Sequence, residues 1–89
     1  MHEHALMADL MRGVLKAAES ENAKAVLGIS VWLGALSHLS AAHFAEHFEA
    51  AAAGTIAEGA TIEAFVSDDI HDPRAASVLL TGIDVEGPS

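Results

Sequence analysis

Met1 and His2 carry the clearest capacity for metal chemistry in this chain. A free amino nitrogen of Met1, the amide nitrogen of His2 and a ring nitrogen of His2 can close two adjacent chelate rings around one metal ion. Such an in-plane set of nitrogen donors favours nickel(II) or copper(II). Glu3 adds a carboxylate beside them, and His4 adds either a further donor or a histidine that only faces water. Because any chain that begins Met-His has these atoms, spacing alone leaves a metal site and an incidental histidine both open.

A second histidine pattern, His43-Phe44-Ala45-Glu46-His47, matches the H-x-x-E-H motif of some zinc peptidases. Two histidines four residues apart share one face of a helix and can hold zinc together. A peptidase also needs a further carboxylate ligand, a substrate cleft and a larger scaffold. The pattern therefore predicts no catalysis, and a weak, solvent-facing zinc or nickel pair stays open.

A third group of polar residues lies between positions 67 and 76, where three carboxylates and one imidazole occur close together: Asp68, Asp69, His71 and Asp72. These residue types can bind a cation, and they are also typical of a solvated turn. Nowhere in the chain does a Ser/His/Asp arrangement or a glycine-rich phosphate loop stand out. We therefore expect no enzymatic activity.

Composition narrows the possible partners. The 89 residues suffice for one domain, residues 1–89, and the absence of cysteine excludes disulfides and cysteine-ligated zinc. A formal net charge of −9 repels nucleic acid and anionic lipid. No apolar run is long enough to span a membrane and no secretion signal is visible, so we expect a cytoplasmic protein with neither nucleic acid nor membrane as a partner.

The first two elements follow from the spacing of apolar residues. From Ala5 to about Glu21 they recur every three or four residues, which predicts an amphipathic helix. From Ala25 to Gly34 the period is two, which predicts a half-buried strand. Its predicted core face carries Leu27, Ile29, Val31 and Leu33.

A second helix is predicted after Ser37 or Ser40, either of which can cap it. The helix contains Phe44 and Phe48, which we expect to face the core, and Gly54 is suited to the left-handed stop at its end.

Two further strands are predicted over Thr61–Val66 and Val78–Glu86, joined by a loop over Ser67–Ala76. In the last strand the predicted core face carries Leu79, Ile83 and Val85.

The order helix, strand, helix, strand, strand predicts an α+β fold in which two helices pack on one face of a three-stranded mixed sheet. The other face then presents Trp32, Phe65 and Leu80 among charged residues. Such an apolar cluster indicates a partner surface or a homo-oligomer interface. A curled sheet or a loop that covers these side chains is the alternative.

These features together resemble the HypA/HybF-type nickel metallochaperones of hydrogenase and urease maturation. Four segments over residues 1–66 carry the resemblance, and the last strand is similar to the family's closing strand. The four segments are Met1-His2-Glu3 with Ala5-Leu6, Gly34-Ala35-Leu36-Ser37, Phe48-Glu49, and the run from Gly54 to Ala60 with Glu63.

The resemblance implies that His2 is the ligand of nickel(II), assisted by the terminal amine of Met1 and main-chain nitrogen, with Glu3 alongside. It implies nickel delivery to a hydrogenase large subunit with the help of a GTPase. Family members carry a zinc domain with paired Cys-x-x-Cys motifs between the last two strands, where this chain has only Ser67–Ala76. We therefore expect no structural zinc, and either a nickel carrier or an adaptor that binds a hydrogenase or a maturation partner.

Overall fold

The computed structural model describes the backbone of residues 2–88 and the side chains of residues 5–87. Its elements are α1 (His2–Ser20), β1 (Ala23–Leu33), α2 (Ala41–Ala52), β2 (Thr61–Val66) and β3 (Val78–Pro88). The predicted order of elements is confirmed. The helix α1 begins at His2 rather than Ala5, and β3 continues to Pro88 rather than ending at Glu86.

The three strands form one mixed sheet in the order β2-β1-β3. The central strand β1 is parallel to β2 and antiparallel to β3. Parallel neighbours need a crossover connection, which α2 provides between β1 and β2. The predicted α+β fold with two helices and a mixed sheet is confirmed.

One apolar core holds the two helices against one face of the sheet. Its largest fully buried side chains are Phe44, Phe48, Leu33, Val14 and Val31. Phe44 and Phe48 belong to α2, Val14 belongs to α1, and Val31 and Leu33 belong to β1. All three elements therefore contribute to a single buried cluster. Removal of this apolar surface from water is the main source of stability.

The two ends of α2 follow the predicted signals. The hydroxyl of Ser40 accepts a hydrogen bond from the backbone amide of His43 at 3.1 Å, so Ser40 rather than Ser37 is the N-cap. After the helix, Gly54 has φ +81°, the left-handed conformation that a residue without Cβ adopts at little cost.

The predicted core face of β1 is wrong at Leu27, whose side chain is 48% exposed. Val26 pairs with Val85 and Gly28 pairs with Asp84, so Leu27 is an extra residue opposite β3. This bulge reverses the side-chain alternation, and Val26 is buried instead.

A second bulge places the side chains of β3 on faces that differ from those predicted. Ser30 pairs with Gly82 but Val31 pairs with Leu80, which leaves Thr81 as an extra residue. As a result Leu80 packs with Ile83 against the core, and Leu79 lies on the opposite face. The predictions that Leu79 faces the core and that Leu80 lies on the sheet face without helices are both wrong.

The connection from Ser67 to Ser77 closes over the end of β1. The amide of Gly34 donates to the carbonyl of Ser77 at 2.9 Å, and the amide of Leu36 donates to the carbonyl of Ala75 at 2.7 Å. A Cβ atom built on Gly34 would overlap the carbonyl oxygen of Ala75, so this close approach requires glycine.

Candidate metal-binding terminus and sheet face

The helix α1 starts at His2, so the predicted metal ligands belong to its first turn or precede it. The first amide groups of a helix have no acceptor within the helix, and main-chain nitrogen at this point is therefore uncommitted. Met1 lies outside the described residues, as do the side chains of His2, Glu3 and His4. Their assignment as ligands stays a prediction.

The beginning of α1 lies at the end of the sheet where β1 and β2 finish and β3 begins. An open groove of about 390 Å³ is lined by Leu6 and Leu10 of α1 and by the segment from Ala76 to Leu80. At the opposite end, Leu15 and Glu19 share a second groove with Ile56. The helix α1 therefore runs antiparallel to β1, and its first turn is near the connection between β2 and β3.

The helix α2 begins at the same end of the molecule. It follows the end of β1 after a short link, and its C-terminal side returns to the start of β1, where the amide of Val26 donates to the carbonyl of Ile56 at 2.9 Å. The first turns of α1 and α2 thus lie on one side of the sheet and at one end. This end carries the histidines at positions 2, 4 and 43 of the sequence.

Two of the three carboxylates in the acidic connection accept hydrogen bonds from backbone amides of the connection itself. One oxygen of Asp69 accepts from the amide of His71 at 3.0 Å, and one oxygen of Asp72 accepts from the amide of Arg74 at 2.7 Å. These bonds are those of Asx turns. Among the described residues no three His, Cys, Asp or Glu side chains are grouped so that they could hold a metal ion together. The solvated-turn interpretation is the one that the contacts support.

The two histidines of the H-x-x-E-H motif lie on the outer side of α2. Its histidine rings are 6.2 Å apart between centroids, His43 is exposed and His47 is half-buried. The phenylalanines that follow each histidine, Phe44 and Phe48, face the core, as predicted.

A row of three apolar side chains crosses the sheet face that the helices leave free, and we call it the free-face row: Trp32, Phe65 and Leu79. Trp32 is the direct partner of Phe65 in β2 and of Leu79 in β3. Directly paired residues project to the same face of a sheet. Of the predicted partner surface, Trp32 and Phe65 are on this face and Leu80 is not.

The free-face row is partly covered. The guanidinium carbon of Arg74 lies 5.5 Å from the centroid of the Trp32 ring, a cation–π contact supplied by the connection between β2 and β3. Phe65 stays 64% exposed at the edge of the sheet. Sequence reasoning missed Leu79 because the bulge at Thr81 has no sequence signal, and it missed Arg74 because this contact depends on the conformation of the loop.

Carboxylates flank the free-face row. Glu63 of β2 and Asp84 of β3 line a shallow depression of about 250 Å³ around Gly28 and Gly82. The same sheet face is thus apolar at one end and acidic towards the middle.

The chain is a small α+β domain, with a helix that starts at a histidine at one end and an apolar row on the uncovered sheet face. Residues 1–68 match the family described as "Hydrogenase/urease nickel incorporation, metallochaperone, hypA". The chain therefore belongs to the HypA family, and the resemblance seen in its sequence is confirmed.

Two curated relatives are both described as "Hydrogenase maturation factor HypA". The protein from Archaeoglobus fulgidus is 38% identical over 63 residues, which cover 71% of this chain and 57% of the relative. The protein from Picosynechococcus sp. is 37% identical over 62 residues, which cover 70% of this chain and 55% of the relative. The chain spans about half the length of these relatives.

The family is one of metal-delivery factors, in agreement with the prediction that the chain is not an enzyme. Within the described residues, no helix is both long and apolar enough to cross a bilayer.

Proposed function

We propose that this chain is a nickel carrier that assists the maturation of nickel-iron hydrogenase. The observation that carries the proposal is the family match over residues 1–68, which includes the start of α1 and its histidine. Nickel is the cargo of such a protein rather than a resident cofactor. A net charge of −9 favours the approach of a divalent cation.

The proposed ligands are His2, main-chain nitrogen beside it and the amine of Met1, with Glu3 as a neighbouring carboxylate and His4 as a further candidate donor. Imidazole and amine nitrogens suit nickel(II). The start of α1 supports this assignment because its first amide groups have no intrahelical partner. A small donor set at a chain end allows ligands to be exchanged one at a time, as transfer to an acceptor requires.

The proposed acceptor is a hydrogenase large subunit in the cytoplasm, and the proposed helper is a GTPase of the maturation pathway. We also propose that this member works without structural zinc. The chain contains no cysteine, the family match ends at residue 68, and β2 connects to β3 through the short segment from Ser67 to Ser77.

The test is a nickel titration of the protein with Met1 as its free first residue, of His2→Ala, and of a form with a Gly-Ser extension before Met1. Both changes should lower nickel affinity by at least about tenfold, since even groups that only support a metal ligand contribute 10–100-fold. Affinity should also fall at acid pH, because the reference pKa values are about 6.5 for imidazole and about 7.7–8.0 for an amine and both groups bind deprotonated.

His71→Ala is the matched control, because His71 is exposed and its backbone rather than its ring makes the loop contact. Nickel affinities that are equal in the native-start protein and in His2→Ala would refute the terminal site.

A second candidate function is a metal-independent adaptor, and the exposure of the free-face row favours it. With Glu63 and Asp84 nearby and only four Lys and Arg in the chain, this face is suited to a basic, partly apolar protein segment. Phe65→Asp should then abolish co-purification of a hydrogenase subunit while His2→Ala and chelator leave it intact. Co-purification that depends on His2 and on nickel would count against the adaptor.

A further inference from the structure

The two histidines of α2 form a ring pair on the outer side of the helix. His43 and His47 are one turn apart, their ring centroids are 6.2 Å from each other, and the ring planes meet at 44°. Neither ring donates or accepts a hydrogen bond among the contacts of the described residues. The imidazoles of exposed His43 and half-buried His47 therefore have no competing hydrogen bond among the described residues.

The core fixes the orientation of this pair. Phe44 and Phe48 follow the two histidines directly and are 0% and 1% exposed. Their rings stack at 6.1 Å between centroids, so α2 cannot rotate about its axis without exposing both. The histidines are therefore held at the helix surface by the side chains that stabilise the fold.

The local charge favours a cation. The helix α2 contains no Lys or Arg, and Glu46 and Glu49 add negative charge. The positive end of the helix dipole lies near His43 and opposes a cation there, but the effect is confined to the first turn and His47 lies beyond it.

We propose that His43 and His47 form a second divalent-metal site, separate from the start of α1 and able to take nickel(II), zinc(II) or copper(II). Imidazole suits all three ions. Binding at a metal–nitrogen distance of about 2.0–2.1 Å requires the rings to approach each other, and the exposed side chain of His43 is free to turn. Water completes the coordination, since no third side chain among the described residues is grouped with the pair.

The site lies on the helix whose first turn is at the same end of the molecule as the first turn of α1. It does not depend on the proposed carrier function, because the ring pair is made by α2 alone.

The experiment uses the full chain with a Gly-Ser extension before Met1 and with His2→Ala and His4→Ala, so that the terminal ligands are removed. Nickel and zinc are titrated in turn while imidazole resonances and the melting temperature are followed. We expect one ion per chain, shifts confined to the resonances of His43 and His47, and a higher melting temperature because the ion binds only the folded helix.

Adding His47→Ala to this protein should lower affinity by at least about tenfold and remove the thermal stabilisation. Adding His71→Ala instead should change neither. Alanine is a good helix former, so His47→Ala is expected to keep α2 folded, and circular dichroism of the metal-free protein verifies this.

Two outcomes would overturn the proposal: no binding to the protein without terminal ligands, or binding that His47→Ala leaves unchanged. Failure of the proposed carrier function would give a different result. The protein with Met1 as its free first residue and its His2→Ala variant, both with His43 and His47 intact, would then bind nickel with equal affinity.

Discussion

The three phenylalanines of the chain occupy contrasting environments. Phe44 is fully buried between the helices and the sheet, and Phe65 is 64% exposed on the free face. The same residue type therefore serves the core at one position and a surface at another. The exposed fraction of each side chain in the structure distinguishes the core role of Phe44 from the surface role of Phe65, and the residue type alone does not.

This contrast gives a prediction for stability. Phe44→Ala should lower the free energy of unfolding by about 3–5 kcal/mol, because it removes a large apolar side chain and leaves a cavity. Phe65→Ala should change it by less than about 1 kcal/mol, since exposed positions contribute little. Urea denaturation of both variants measures the difference. Equal losses at the two positions would show that Phe65 is covered in solution.

The histidines also differ by position. His2 and His4 belong to the start of α1, whereas His43 and His47 face outward from α2. Ligand candidates at the chain start are recognisable from sequence through their proximity to an amine. The pair on α2 is recognisable through its spacing, and the burial of Phe44 and Phe48 agrees with the outward direction that the sequence predicted.

At the level of elements, the end of β1 depends on its contact with the connection between β2 and β3. Gly34 is buried, and the backbone of Ala75 occupies the space that a side chain would need. The backbone hydrogen bonds from Gly34 and Leu36 hold this connection against the strand end. The loop is thus an ordered cap rather than a free linker.

Gly34→Ala should therefore destabilise the protein by about 1–3 kcal/mol, as expected for overpacking at a buried position. Gly13→Ala is the matched control, because a Cβ atom at this position would meet open space and alanine favours a helix interior. The control should raise stability by roughly 0.5–1 kcal/mol. Thermal denaturation compares the two, and an unchanged melting temperature of Gly34→Ala would contradict the close contact.

The bulges at Leu27 and Thr81 act on whole strands. Each shifts the register between β1 and β3 by one residue and so exchanges the faces of the side chains beyond it. Through this effect Leu79 rather than Leu80 joins Trp32 and Phe65 on the free face.

At the level of the whole molecule, electrostatic repulsion is the dominant long-range effect. The formal net charge is −9 on 89 residues, with only four Lys and Arg. Self-repulsion of this kind destabilises a folded chain and is screened by salt.

The melting temperature should therefore rise as sodium chloride is raised from about 10 mM to about 150 mM, over which the screening length shortens from roughly 30 to 8 Å. A gain of about 1 kcal/mol corresponds to roughly 4–8 °C in a domain of this size. Calorimetry at fixed pH measures the slope of the melting temperature against sodium chloride concentration. Glu21→Gln with Glu86→Gln removes two exposed negative charges and should reduce it, whereas a melting temperature that falls with salt would contradict the expectation.

Sequence alone determined the type and order of the elements, the glycine stop after α2, the loop between the last strands and the family, whereas the choice of Ser40 over Ser37 as the N-cap of α2 came from the structure. The helices, the strands and the glycine stop at Gly54 depend on the types and spacing of neighbouring residues, and the absence of cysteine is a property of the composition. The candidate ligands Met1 and His2 are likewise predicted from sequence, and their role in metal binding stays a prediction.

Tertiary structure decided which side chains share a face and which segments cover them. The extra residues at positions 27 and 81 are defined only by pairing between distant strands, so the corrected free-face row was not predictable from alternation. The contact of Arg74 with Trp32 and the need for glycine at position 34 likewise arise where the loop meets the end of β1. Long-range pairing and close packing set these features, and no local pattern in the chain encodes them.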